Sequence, residues 1–198
     1  MISLQQKRAW VFDLDGTLTR PVHDFTYIRR SLGIPQDTDI LNYISQQPCE
    51  IQCTLNAHLD ELETHYAAQA QPAECVIECL NYLKAQQCRL GILTRNTKEL
   101  AMLSINAIGA EAFFQAEDVL GREDTKPKPA PDGINMLLNQ WNEKSEAGVM
   151  VGDFLFDLLS GRAAGVLTVH IDERDRHWPE VTDFRVKDLR DLISLFKS

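Results

Sequence analysis

The chain is predicted to be an α/β protein: a doubly wound, Rossmann-like parallel sheet carrying a small, inserted, all-helical domain. Three observations predict it. Short apolar runs alternate with segments of helical spacing, the pattern of parallel strands joined by crossover helices. One stretch near the N-terminus breaks that alternation with purely helical periodicity. The length, 198 residues, exceeds a typical domain of roughly 100 to 150 residues without reaching two.

The first strand is expected at residues 10–14 (WVFDL), an apolar run entered from a polar segment and followed at once by Gly16. Four further runs resemble it: Arg89–Leu93 (RLGIL), residues 113–120, residues 148–151 (GVMV) and Leu167–Ile171 (LTVHI). Between them Leu100, Leu103 and Ala107, then Ile134, Leu137, Leu138 and Trp141, and finally Leu189, Leu192, Ile193 and Phe196 recur at helical spacing. Asn96 with Glu99 makes a capping pair for the first of these helices, and Gly109 and Gly165 stand where helices stop. Residues 20–84 contain no strand-like run. Ile51, Leu55, Leu59, Leu62 and Tyr66 form one stripe and Val76, Leu80 and Leu83 another, while Pro35, Pro48 and Pro72 divide the stretch into about four helices. The expected division is therefore a core of residues 1–19 and 85–198 with a helical insertion at 20–84.

Composition bounds the partners. The chain is 44% hydrophobic and 25% charged, enough apolar material for a packed core. Its 20 Lys plus Arg against 29 Asp plus Glu give a net charge of -9, a poor match to nucleic acid or an anionic membrane surface. Apolar runs fall short of the roughly 20 residues of a membrane span, and no signal-peptide core is visible, so a cytoplasmic protein is expected. The five cysteines are odd in number and argue against a disulfide scaffold. Cys49 and Cys53, and Cys75 and Cys79, share i, i+4 spacing that could suit zinc, but buried packing is the simpler expectation.

In doubly wound sheets, ligands sit beyond the carboxyl ends of the strands. There the sequence places Asp13, Asp15, Gly16 and Thr17 after the first run, Thr94, Arg95 and Asn96 after the second, and Asp153 and Asp157 after the fourth. A lysine-proline run, Lys126 to Pro131, precedes the helix leading to the fourth. Each piece alone reads as a turn, a cap or a loop.

In this order and on these strand ends, the residues resemble the four motifs of the haloacid dehalogenase-like superfamily: DLDGT, LT, KPAPD and GDFLFD. The insertion resembles the helical cap of that superfamily's phosphoglycolate phosphatase-like branch. The resemblance implies a Mg²⁺-dependent phosphatase acting on a small phosphorylated metabolite, phosphoglycolate being the first candidate, in a monomer or homodimer. It implies Asp13 as nucleophile, Asp15 as general acid/base, Thr94, Arg95 and Lys128 as phosphate-binding residues, and Asp13, the Asp15 main-chain carbonyl, Asp153 and Asp157 around the metal. Arg20, His23, Asp24 and Arg29 enter the insertion where a leaving group could be touched. The same core residues serve a phosphosugar mutase of the β-phosphoglucomutase type, and a non-catalytic regulatory module is the alternative from another class. Chemistry agrees with the resemblance: a phosphate dianion repels a carboxylate nucleophile unless a cation neutralises it, and Mg²⁺ takes hard oxygen ligands. Lys126 fits the lysine-proline pattern as well as Lys128. Lys128 is expected to be the functional one because Asp132 would cap the helix that anchors it.

Overall fold

The computed structural model describes residues 4–172 and 176–197. Six parallel strands lie in the order β3-β2-β1-β4-β5-β6: β1 (Ala9–Phe12), β2 (Arg89–Leu93), β3 (Val119–Leu120), β4 (Gly148–Gly152), β5 (Leu167–Ile171) and β6 (Phe184–Val186). β1 pairs with β2 on one side (Val11 opposite Gly91) and β4 on the other (Val11 opposite Met150). The chain order thus reverses at β1, and the crevice beyond its carboxyl end is the ligand position of such a sheet.

The pleat of β1 sends alternate side chains to opposite faces. Trp10 and Phe12 join a cluster with Val76, Leu80 and Leu83 of α4 (Val76–Ala85), Ile105 of α5 (Lys98–Ala107) and Leu192 and Phe196 of α8 (Leu189–Lys197). Ala9 and Val11 face Ile134, Leu137 and Leu138 of α6 (Asp132–Gln140) and Ala164 of α7 (Leu155–Ala164). Both faces are covered, which is why these strands read as continuous apolar runs rather than alternating ones.

A separate cluster of Ile28, Leu32, Ile34, Ile44 and Leu59 holds together α1 (Phe25–Leu32), α2 (Ile40–Ser45) and α3 (Cys49–Ala68). Asp24 and Asp39 cap α1 and α2 by accepting from the Tyr27 and Asn42 amides, and Gly33 ends α1 in the left-handed conformation. All four helices of the 20–84 stretch form, but α4 packs on the sheet. We therefore place the boundary of the cap near Pro72 rather than at residue 84.

Several local expectations are corrected. The 113–120 run supplies only a two-residue strand, because turns of 3-10 helix at Glu111–Phe113 and Ala116–Asp118 consume the rest. β6 is a three-residue edge strand, too short to show a period. α5 is capped by Thr97, whose hydroxyl accepts from the Leu100 amide, not by Asn96 with Glu99. Asp132 is the first residue of α6 and makes no capping bond; it pairs with Lys126 at 3.5 Å. All five cysteines are free, and Cys49 and Cys53 are exposed on α3, so packing accounts for Cys79 and Cys88 but not for the first pair. Among the described residues, no helix is long and apolar enough to cross a membrane.

Candidate active site

The loop leaving β1 is built to present two carboxylates. The Asp13 amide donates to the Val151 carbonyl (2.9 Å), continuing the β1–β4 ladder past the strand end and fixing the backbone of Asp13. The chain then turns sharply, with the Leu14 carbonyl accepting from the Leu18 (3.0 Å) and Thr19 (2.9 Å) amides. Gly16 has φ +92°, and a Cβ there would lie 2.8 Å from an Asp153 carboxylate oxygen, so both the turn and the close approach require glycine.

Opposite stands Lys128, only 1% exposed, its Nζ 2.5 Å from Asp13 Oδ1 and 2.7 Å from Asp157 Oδ1. Its loop is pinned to α7, where the Ser160 hydroxyl donates to the Ala130 carbonyl (2.8 Å). That bond, rather than an Asp132 cap, anchors the lysine. Lys126 is 77% exposed and away from the carboxylates. At the end of β4, Asp157 spends its other oxygen on the Phe154 amide at the start of α7 (3.0 Å). Asp153 accepts from Arg176 (3.0 Å), which lies over the rings of Phe154 and Trp178.

Asp15 is held by Asn96, whose side-chain amide donates to Oδ2 at 2.7 Å, while Asn96 takes its own orientation from an amide bond to the Thr94 hydroxyl (3.1 Å). His23 Nδ1 approaches Asp15 Oδ1 to 3.6 Å. Burial raises the affinity of Asp13 for a proton well above the ordinary carboxylate range; Lys128 opposes the shift, and Asp157, Asp153 and Asp15 add to it. Asp15 is raised by burial against the pull of His23 and Lys128. Burial, with Asp157 beside it, raises Asp153 to about 6. Lys128 is raised because Asp13 and Asp157 outweigh the cost of burying it. The cluster thus holds more negative charge than one lysine balances.

Oxygens of Asp13, Asp153 and Asp157 lie within 4.8 Å of one another, a hard-donor set of the kind Mg²⁺ takes. Because Asp157 already serves Lys128 and the α7 terminus, Asp13 and Asp153 are the freer ligands.

A cavity of about 370 Å³ opens from this cluster toward the cap, reaching Asp13, Asp15, Thr94 and Lys128 on one side and Phe25, Leu59 and Glu63 on the other. A second cavity, about 480 Å³, lies across the β1 loop between Arg20, Glu74 and Lys187 and shares Asp153 and Arg176 with the first. Two arginines cross between the sheet domain and the cap. Arg95 pairs with Asp39 (2.7 Å) and lies over Phe156 at the wall of the first cavity. Arg122 pairs with Glu63 (2.8 Å) and with Asp60. Burial raises Glu63 to about 7, with Arg122 opposing.

The structure thus brings together Asp13, Asp15, Thr94, Lys128, Asp153 and Asp157 around one cavity, which Arg95 also lines with its guanidinium paired to Asp39. Of the residues entering the cap, His23 and Arg29 line the cavity, Asp24 caps α1, and Arg20 faces the second cavity. Asn96, Glu63, Arg122 and Arg176 are missed by sequence reasoning. Only Asn96 carries a signal, its place on the tip of β2.

Comparison with known proteins follows the same lines. The family model described as haloacid dehalogenase-like hydrolase matches residues 10–171. A haloacid dehalogenase-like hydrolase domain-containing protein of Arabidopsis thaliana is 30% identical over 195 residues, spanning 92% of this chain and 77% of that protein. Pyrophosphatase PpaX of Halalkalibacterium halodurans is 26% identical over 208 residues, 93% of this chain and 94% of its own. Among solved structures, a predicted phosphoglycolate phosphatase from Haemophilus somnus superposes with a TM-score of 0.73 at 18% identity, covering 96% of this chain and 97% of that one, a likeness of fold.

Proposed function

The chain belongs to the haloacid dehalogenase-like hydrolase family, and on that premise we propose that it is a Mg²⁺-dependent phosphatase of a small phosphomonoester, working through a phosphoaspartyl intermediate on Asp13. One observation carries the reading: a buried aspartate at the tip of the central strand, clasped by a buried lysine and flanked by two further carboxylates, faces a cavity that a second aspartate shares.

Mg²⁺ bound by Asp13 and Asp153, with Asp157 behind, would neutralise phosphate charge that otherwise repels a carboxylate nucleophile. Lys128 fixes the free Asp13 carboxylate and supplies positive charge where charge develops on the phosphoryl oxygens. The Thr94 hydroxyl, at the wall of the same cavity, is a neutral donor for those oxygens. In the first half-reaction an Asp13 oxygen bonds to phosphorus as the ester P–O bond breaks, and Asp15 gives its proton to the departing oxygen. In the second, Asp15 takes a proton from water as the water oxygen bonds to phosphorus and the Asp13–phosphoryl bond breaks. Burial suits Asp15 to this exchange, because it raises the carboxyl toward the range where it carries a proton to give.

The test is hydrolysis of an aryl phosphate by wild type and by Asp13→Asn, with Mg²⁺ and with excess chelator. Turnover should need the metal and fall at least about a thousandfold in the variant, which keeps the shape of the site but loses the nucleophile. Activity near wild type in Asp13→Asn, or full activity in chelator, overturns the reading.

A further inference from the structure

The leaving-group side of the cavity has a chemistry of its own. Carboxylates outnumber cationic side chains six to four around the cavity. Three of the cations are spent: Lys128 on Asp13 and Asp157, Arg95 on Asp39, and Arg176 on Asp153 and Asp172. The fourth, Arg29, donates to the main-chain carbonyls of Thr38 (2.9 Å) and Phe25 (3.2 Å) within the cap. A bound Mg²⁺ would balance the excess, and the transferring phosphate would then use what remains. A second anionic group on the substrate would enter among Asp15, Asp39 and Glu63, where the one cation not paired with a carboxylate among the described residues is Arg29, already donating to two cap carbonyls.

What does face that space are neutral or accepting groups. The His23 side chain is only 5% exposed, and both its ring nitrogens are buried without a hydrogen-bond partner at the cavity wall. Nδ1 stands 3.6 Å from Asp15 Oδ1, beyond hydrogen-bond length, so Nε2 is the ring nitrogen left for a ligand hydroxyl. Glu63 gives one oxygen to Arg122 and keeps acceptor capacity beside the cavity. Phe25 and Phe154, half-exposed aromatics at the same cavity, offer flat faces to C–H surfaces.

Resting on the phosphatase reading above, we propose that the leaving group is a neutral, hydroxyl-bearing alcohol of polyol or monosaccharide size, with hydroxyls on His23 and Glu63, and not a carboxylate or a second phosphate. Cleavage releases that alcohol with the proton Asp15 supplies.

The experiment compares kcat/KM at one Mg²⁺ concentration for glycerol phosphate and a hexose 6-phosphate against phosphoglycolate and inorganic pyrophosphate, with p-nitrophenyl phosphate as the control. The better neutral ester should exceed both anionic substrates by at least about tenfold, and Glu63→Gln should shrink that ratio about tenfold, since it removes one carboxylate from the side of the cavity that disfavours anions. Turnover of the aryl ester with pyrophosphate or phosphoglycolate preferred overturns the proposal and leaves the phosphatase standing. So does a ratio unmoved in folded Glu63→Gln. No turnover of any ester overturns both.

Discussion

Removing the ammonium of Lys128 should be the most damaging single change in the site outside the two catalytic aspartates, and its cost can be worked from the geometry. The amine lies between two buried carboxylates at 2.5 and 2.7 Å and is itself 1% exposed. Lys128→Ala leaves Asp13 and Asp157 facing each other without a counter-cation, while Asp153 keeps Arg176. Breaking a buried pair by deleting one partner costs about 3–5 kcal/mol of stability, because the orphaned charge stays buried. The catalytic loss should be at least about a hundredfold in kcat/KM, roughly 3 kcal/mol for a preorganised charge-stabilising contact. Lys126→Ala removes an exposed ammonium whose partner is Asp132 at 3.5 Å, and should cost less than about tenfold in rate and under about 1 kcal/mol in stability. Both variants are assayed with one substrate at one Mg²⁺ concentration, and both are unfolded in urea. The charge argument makes a further demand: Lys128→Met should cost less stability in an Asp13→Asn background than alone, because one orphaned charge is already gone. A larger catalytic loss at Lys126, or equal stability costs of Lys128→Met in the two backgrounds, would refute the reasoning.

Asp15→Asn should let an activated aryl ester phosphorylate Asp13 while hydrolysis stalls, because the first step then needs no acid and the second still needs a base; acid-quench mass spectrometry should find the label on the peptide containing Asp13, and its absence or another location would contradict the assigned roles. Glu63 should make stability depend on pH. Its folded value of about 7 lies above its ordinary 4.5, so the folded state binds the extra proton between those values. The stabilisation is complete below pH 4.5 and is lost as pH rises through about 7. Thermal midpoints of Glu63→Gln should therefore fall less steeply than wild type between pH 5 and 8, and parallel curves would show that Glu63 does not titrate there.

The parts of this molecule legible in the sequence are those written in short-range pattern. β2 and β5 sit where their apolar runs do, because both sheet faces are covered and four of the five positions in each strand are buried, with Thr168 and His170 the polar exceptions among them. The strand tips are legible for the same reason: where the apolar run stops, the next polar side chain must stand at the carboxyl edge, and Asp13, Thr94 and Asp153 do. Lys128 was readable only through its motif, and the reason offered for it failed locally. Its loop is anchored at Ala130 by Ser160, thirty residues further along the chain from Ala130, and not by the neighbouring Asp132.

The partners that give the site its chemistry are illegible for a physical reason. Asn96 and Asp15 are 81 residues apart, Arg122 and Glu63 59, and Arg176 and Asp153 23; such pairs exist only once the chain has folded, and the second only once cap and sheet have come together. Arg122 and Arg95 each reach from the sheet domain to a carboxylate on the cap, and on the sequence they are ordinary surface arginines. Their pairing decides how much positive charge remains for a ligand. The motif residues at the strand tips therefore speak to what happens at phosphorus, whereas the character of the leaving group follows from cap residues whose neighbours no spacing rule supplies. A chain with the same four motifs but uncommitted arginines at the cap would present the opposite charge to the departing alcohol, so the two halves of the specificity are separable by substitution of the cap residues Asp39, Asp60 and Glu63.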